Sequence, residues 1–157
     1  MSLPDISTNY RVNFIPFHWA HVHMMDLRPF EKQYFEWFDD YNETLKMFAS
    51  YGNCYTALHN GNVACCFGAV PLNRGTAEGW LITSYIVESN PISLTRGARR
   101  YINKIAIDMQ LHRLQFVVDN SNVLAIRWAK ALGFTEEGLM KNYGPDKSDH
   151  FMFARYF

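Results

Sequence analysis

From Arg113 to Phe134 the sequence runs RLQFVV, then Asp119 and a polar knot of Asn120, Ser121 and Asn122, then an amphipathic segment, then Gly133-Phe134. An apolar strand that gives way at once to a helix returns to its sheet by a crossover, which points to parallel pairing. The knot therefore sits where a strand ends and a helix begins. Each of its three residues is a good N-cap for the free N–H groups of that helix. Capping alone, or capping together with a ligand contact, both remain open readings of this stretch.

The rest of the chain constrains the fold further. RVNFI (11–15) alternates polar and apolar residues and reads as a strand. FHWAHVHMM, from Phe17, reads as a short helix. Phe30, Tyr34, Trp37, Phe38, Tyr41, Leu45 and Phe48 recur at spacings of three and four and predict a longer helix ended by Gly52. CYTAL (54–58) and VACCFGAV (63–70) flank Asn60-Gly61, a strong hairpin signal. WLITSYIV (80–87) reads as a strand, interrupted by Asn90-Pro91. A second helix is predicted from about Ser93 to Met109, with Leu94, Ala98, Tyr101, Ile102, Ile105 and Met109 inward and Arg96, Arg99 and Arg100 outward. EGLMKNY and HFMFARYF close the chain around a Gly144-Pro145-Asp146 turn. The resulting order is β-α-α-β-β-β-α-β-α-β-β. It predicts an α/β (α+β) domain over residues 1–157, with helices on both faces of one mixed sheet.

Bulk properties exclude several function classes. Lys plus Arg and Asp plus Glu both number 15, so the chain lacks the charge excess of a phosphate-neutralising nucleic-acid binder. No apolar run is long enough to span a membrane, and the N-terminus does not read as a signal peptide. The cysteines, Cys54, Cys65 and Cys66, suit free thiols in a reducing compartment, and a cytoplasmic location is expected. His18, His21 and His23 sit close together but lack Cys or carboxylate partners at ligand spacing, so no metal is expected.

Asn122-x-x-Ala125-Ile126-Arg127 followed by Leu132-Gly133-Phe134 resembles the GNAT N-acetyltransferase superfamily, where the fifth strand meets an Asn, a helix and then Gly-Phe opening the sixth strand. HFMFAR resembles that family's last strand. The stretch Trp80-Leu81-Ile82-Thr83-Ser84, with a departing phosphate loop, resembles a divergent phage-encoded branch. The resemblance implies a GNAT-like acyl-CoA N-acyltransferase fold, with a sheet that splays between its fourth and fifth strands to admit acetyl-CoA as co-substrate. It implies transfer of an acetyl group to an amine on a small molecule or a protein, and it is compatible with a homodimer. A degenerate member, acting as a binding or assembly module, is the alternative.

Acetyl transfer needs a base for the ammonium, donors for the developing oxyanion and a proton for the departing thiolate. The resemblance places catalytic roles at Ser84, Glu88 and Tyr143, with Glu78 also flanking the fourth strand and Tyr85 a second candidate proton donor. It places cofactor contacts at Thr83, Tyr85, Thr95, Arg96, Gly97, Ala98, Arg99, Asn120 and Asn122. Two departures stand out. The stretch ISLTRGARR lacks the paired glycines of the family's phosphate loop, and a Cβ would crowd a backbone cradle. Arginine charge at Arg96, Arg99 and Arg100 is the available substitute, or else these residues form a solvated helix face. The family's proton-donating Tyr, four residues before the Gly of Gly-Phe, is Ala129 here, with Trp128 beside it as a core residue.

Overall fold

The computed structural model describes residues 12–157, so the first residue of the predicted RVNFI strand lies outside it. Its elements are β1 (Val12–Pro16), a 3-10 helix (Trp19–Met24), α1 (Pro29–Phe35), α2 (Tyr41–Ser50), β2 (Cys54–His59), β3 (Asn62–Asn73), β4 (Thr76–Thr83), α3 (Ile86–Ser89), α4 (Pro91–Asp108), β5 (Arg113–Asp119), α5 (Val123–Ala131), β6 (Thr135–Met140) and β7 (His150–Tyr156). The strands form one mixed sheet in the order β1-β2-β3-β4-β5-β7-β6. Among the described strands only β4 and β5 pair in parallel, and this follows from the α4 crossover between them. Among the described residues no helix is long and apolar enough to cross a membrane.

Two apolar layers cover the sheet. On one face α4 and α5 bury Leu94, Ala98, Ile102, Ile105 and Ala129 against Ala57, Leu114, Val118 and Phe153. On the other, the 3-10 helix and α2 bury Val22, Leu45 and Phe48 against Cys66, Trp80 and Ile82. Cys65 and Cys66 are adjacent in β3, so their side chains enter opposite layers. Both are buried, and burial pushes the Cys66 thiol up to about 12.

Three elements differ from the sequence reading, each for a local reason. The aromatic run Phe30–Phe48 is two helices, because Asp40 restarts the chain: its Oδ1 accepts the Glu43 N–H at 3.1 Å as the cap of α2. FHWAHVHMM tightens into a 3-10 helix capped by His18, while His21 Nδ1 lies 2.7 Å from Thr56 Oγ1 and His23 Nε2 lies 2.7 Å from Asn42 Oδ1. The strand expected at 80–87 spans Thr76–Thr83 instead. Ser84 ends it by donating from Oγ to the Ala64 carbonyl at 2.8 Å and accepting the Ile86 N–H at 3.3 Å.

Candidate active site at the fork between β4 and β5

The parallel ladder joins Thr76 to Arg113, Ala77 to Leu114 and Glu78 to Gln115, and goes no further. Beyond Glu78, β4 stays paired with β3 as far as Thr83, and beyond Gln115, β5 stays paired with β7 as far as Asp119. The two strands therefore part at their carboxyl ends while each is held on its outer side. This matches the expected splay. The sheet thus forks above the Glu78–Gln115 pair, which is the apex of the fork.

The side chains that converge on the α1 side of this fork come from four elements. On β4, alternation puts Glu78 on the same face as Trp80 and Ile82, toward α1 and α2. Gln115 donates from Nε2 to Glu78 Oε2 at 3.0 Å. Glu78 Oε1 makes no hydrogen bond to the described residues. Burial raises the Glu78 carboxyl above the usual carboxylate range, against the lowering effects of the Gln115 bond and of Arg113. Tyr34, on α1, is pushed up to about 12 by burial and then by the charges of Glu78, Tyr143 and Glu31. Trp37 packs on His150 with ring centroids 5.1 Å apart and on Tyr143 at 6.3 Å, and Tyr143 lies 5.3 Å from His150. The Tyr143 hydroxyl is itself raised, by burial and by Glu78. A separate open cavity, its mouth between α1 and the loops after β5 and β6, is lined by Phe30, Gln33, Asp119, Asn120, Asp146 and Asp149.

A second carboxylate caps the open end of β4. The Thr83 hydroxyl donates to Glu31 and accepts from Arg28 Nη1 at 3.3 Å. Arg28, almost fully buried, forms an ion pair with Glu88 at 3.1 Å through Nε. Burial raises the Glu31 carboxyl, and the Thr83 bond and Arg28 only partly offset it.

The residues expected from sequence fall into four groups. Tyr143 joins the Glu78–Tyr34 cluster. Asn120 lines the mouth, exposed, with its N–H on the Asp149 carbonyl. Arg96, Arg99 and Thr95 line a cleft between the start of α4 and the end of α5, with Pro91, Ile92 and Ala131. The others differ from expectation. Gly97 lies inside α4, and a Cβ there would meet Phe14 Cε2 at 2.5 Å, so its missing side chain admits a ring of β1. Ala98 is buried in the α4 layer. Thr95 Oγ1 accepts the Trp128 indole N–H at 2.6 Å. Trp128 is thus half-buried on the core rim, not inside it. Ser84 is buried and spends its hydroxyl on β3. Thr83 and Glu88 are tied to Glu31 and Arg28. Tyr85 is exposed, and Asn122 caps α5 through Oδ1 to the Ala125 N–H at 3.2 Å. Ala129 is 2% exposed, inside the α4–α5 layer.

Sequence reasoning missed Glu31, Tyr34 and Gln115 as site residues. Nothing local marks them, because their meeting depends on α1 lying over a parting pair of strands from the far half of the chain. Glu78 flanks the fourth strand in the sequence, as Glu88 does, and the structure places Glu78 at the fork and Glu88 on Arg28. The signal that favours Glu78 is alternation along β4, which puts it in phase with Trp80 and Ile82.

No protein-family model matches the sequence, and no curated protein sequence does. Solved structures do match in shape. A GNAT-family acetyltransferase from Bacillus anthracis aligns over 93% of this chain and 95% of its own at TM-score 0.72 and 15% identity. YncA of Salmonella typhimurium, solved with its cofactor acetyl-CoA, aligns over 92% and 93% at 0.66 and 15%. A spermidine N-acetyltransferase from Vibrio cholerae aligns over 94% and 95% at 0.68 and 12%. The chain thus has the fold of the GNAT acetyltransferases.

Proposed function

We propose that the protein is an acetyl-CoA-dependent N-acetyltransferase, with the co-substrate entering the fork from the α4–α5 side and the amine from the α1 side. The observation that carries this reading is the parting of β4 from β5 immediately above Glu78, whose Oε1 makes no hydrogen bond among the described residues. Fold alone does not establish activity, so the residues have to fit the chemistry.

The α4 side fits a pyrophosphate by charge. Asn90 makes no side-chain cap and Pro91 opens α4, so the N–H groups of its first turn, Pro91 apart, have no side-chain acceptor among the described residues. Arg96 and Arg99 stand at the same cleft, and guanidinium groups bind phosphate bidentately. This replaces a glycine cradle with arginine. Bound acetyl-CoA supplies an activated acetyl thioester. On the chain's side, Glu78 Oε1 takes the proton of the incoming ammonium, and burial keeps that carboxylate basic enough to do so. Tyr143, with its raised hydroxyl, is the proton donor for the thiolate in place of the residue absent at Ala129. The aromatic wall of Tyr34, Trp37 and Tyr143 and the carboxylates around it suit a cationic acceptor.

The second reading, a binding module that keeps the fold without turnover, is favoured by one observation: Gly97 is spent on Phe14 and not on a phosphate loop. Calorimetry with acetyl-CoA and desulfo-CoA, followed by transfer assays on a polyamine and peptide panel, separates the two. Binding with turnover supports the enzyme. Binding without turnover supports the module. No binding at millimolar concentration removes both the co-substrate and the reading built on it.

A further inference from the structure

The bonds that hold Glu78 continue past Gln115. Arg113 Nε donates to Gln115 Oε1 at 2.7 Å. Arg113 Nη1 donates to Glu137 Oε2 at 2.9 Å, and Nη2 donates to Glu137 Oε1. The Tyr156 hydroxyl donates to Glu137 as well. Glu78, Gln115, Arg113 and Glu137 thus form a line across β4, β5 and β6, from the apex of the fork to the sheet's edge strand, with Tyr156 of β7 closing it.

Donor chemistry gives this line a direction. A guanidinium only donates, so the Gln115 oxygen must face Arg113 and its amide NH2 must face Glu78. Glu137, holding both terminal nitrogens, fixes the plane of the guanidinium. We propose that Gln115, Arg113 and Glu137 are positioning residues, a relay from the edge strand that turns one oxygen of Glu78 to Gln115 and leaves the other aimed into the fork. None of the three touches the reacting atoms. The inference rests on Glu78 being the base of the proposed acetyl transfer.

Other groups also act on Glu78, and their effects can be separated. Tyr34 faces it from α1, Tyr143 from the loop after β6, and Arg113 from β5. Glu137 could act simply as a distant negative charge. Removing that charge would ease ionisation of Glu78 and move its titration down. Removing the relay acts oppositely: Arg113 loses its clamp, the Gln115 amide is free to turn, and Glu78 loses a donor, so its titration moves up. The sign therefore distinguishes positioning from bulk charge.

The test is a carboxyl NMR titration of Glu78 in the full-length protein, with pH profiles of acetyl transfer run in parallel. Gln115→Met should move the Glu78 titration up by about one pH unit, since a hydrogen bond to a charged group is lost. It should carry the acid limb of kcat/KM with it and lower kcat, leaving KM for acetyl-CoA unchanged. Glu137→Gln should move both in the same direction by less. If Gln115→Met does not fold, Glu137→Gln decides alone. An unmoved titration in Gln115→Met, or a downward shift in Glu137→Gln, overturns the relay. Absence of transfer in the wild type defeats the functional reading instead, and the NMR titration still decides the relay.

Discussion

The two sides of the β4–β5 fork carry polar residues of different kinds. One set is short: Ser84 where β4 stops, and toward α4 and α5 Thr95, Asn122 and the bare backbone of Gly97. Each serves the backbone or a neighbour in the scaffold, through a strand stop, an indole acceptor, a helix cap and a ring contact. Toward α1 they are long and come from separate elements: Glu31, Tyr34, Glu78, Gln115 and Tyr143. There burial raises both carboxyls and both phenols. Short polar residues beside helix ends are the ones a motif finds. The perturbed groups that reaction chemistry needs lie on the other side.

Glu78→Gln tests that division most severely. It should lower turnover by about 100- to 10,000-fold, roughly 3 to 5 kcal/mol of barrier, without weakening acetyl-CoA binding. The pH dependence has a definite sign. The active form is the carboxylate, so kcat/KM should fall as pH drops through a value above the ordinary carboxylate range, and the variant should lose that limb. Stability should move the other way. A carboxyl raised in the folded state favours folding at low pH and opposes it as pH rises past the folded value. At neutral pH, Glu78→Gln should therefore melt no lower than wild type. Equal turnover with a lower Tm would turn Glu78 into a scaffold residue and erase the contrast between the two sides.

Ala129→Tyr probes the opposite side. The sequence resemblance would put a proton donor at this position, yet here it is enclosed by the α4–α5 layer. A tyrosine ring would overpack that layer at about 1 to 3 kcal/mol. Thermal melts should show a lower Tm and transfer assays no gain in rate. A stable variant with faster turnover would restore the family's donor position.

Gly97→Ala follows. Replacing a mid-helix glycine gains about 0.5 to 1 kcal/mol from helix propensity. The new Cβ meets the Phe14 ring, itself stacked on Tyr101 at 4.3 Å, and that overlap costs more. The net loss should be roughly 1 to 2 kcal/mol. Phe14→Leu should recover part of it in the double variant, since the two sites share one contact. Loss of acetyl-CoA affinity without loss of stability would return Gly97 to phosphate binding.

The same contrast explains what could be read in advance. The element order was legible, because strand alternation, the Asn60-Gly61 hairpin, the Arg113–Phe134 crossover and the α4 periodicity are all local signals. The break at Asp40 was not legible, because the aromatic spacing runs on through it and a single capping residue is the weaker local signal. Among the short residues, Gly97 and Ser84 were seen, but their partners Phe14 and Ala64 lie far off in sequence. On the α1 side, Tyr34 reads as one more position on an aromatic helix face, and nothing local marks Glu31. Only the parting of β4 from β5 gives those residues a common place.

Asn122 offers the smallest effect and the finest division between scaffold and site. It lies at the end of the polar knot, where α5 begins, and its Oδ1 satisfies the Ala125 N–H. As a cap alone, Asn122→Ala should cost about 1 kcal/mol in a denaturant melt. Asn122→Asp should cost almost nothing, because a carboxylate caps equally well and also complements the positive end of the helix dipole. Ligand contact would break this pattern, since aspartate keeps the acceptor and loses the amide donor. Acetyl-CoA affinity measured by calorimetry should therefore be equal in wild type and Asn122→Asp. A weakened complex from a fully stable Asn122→Asp would show that the amide faces the co-substrate, and would move one short polar residue from the scaffold into the site.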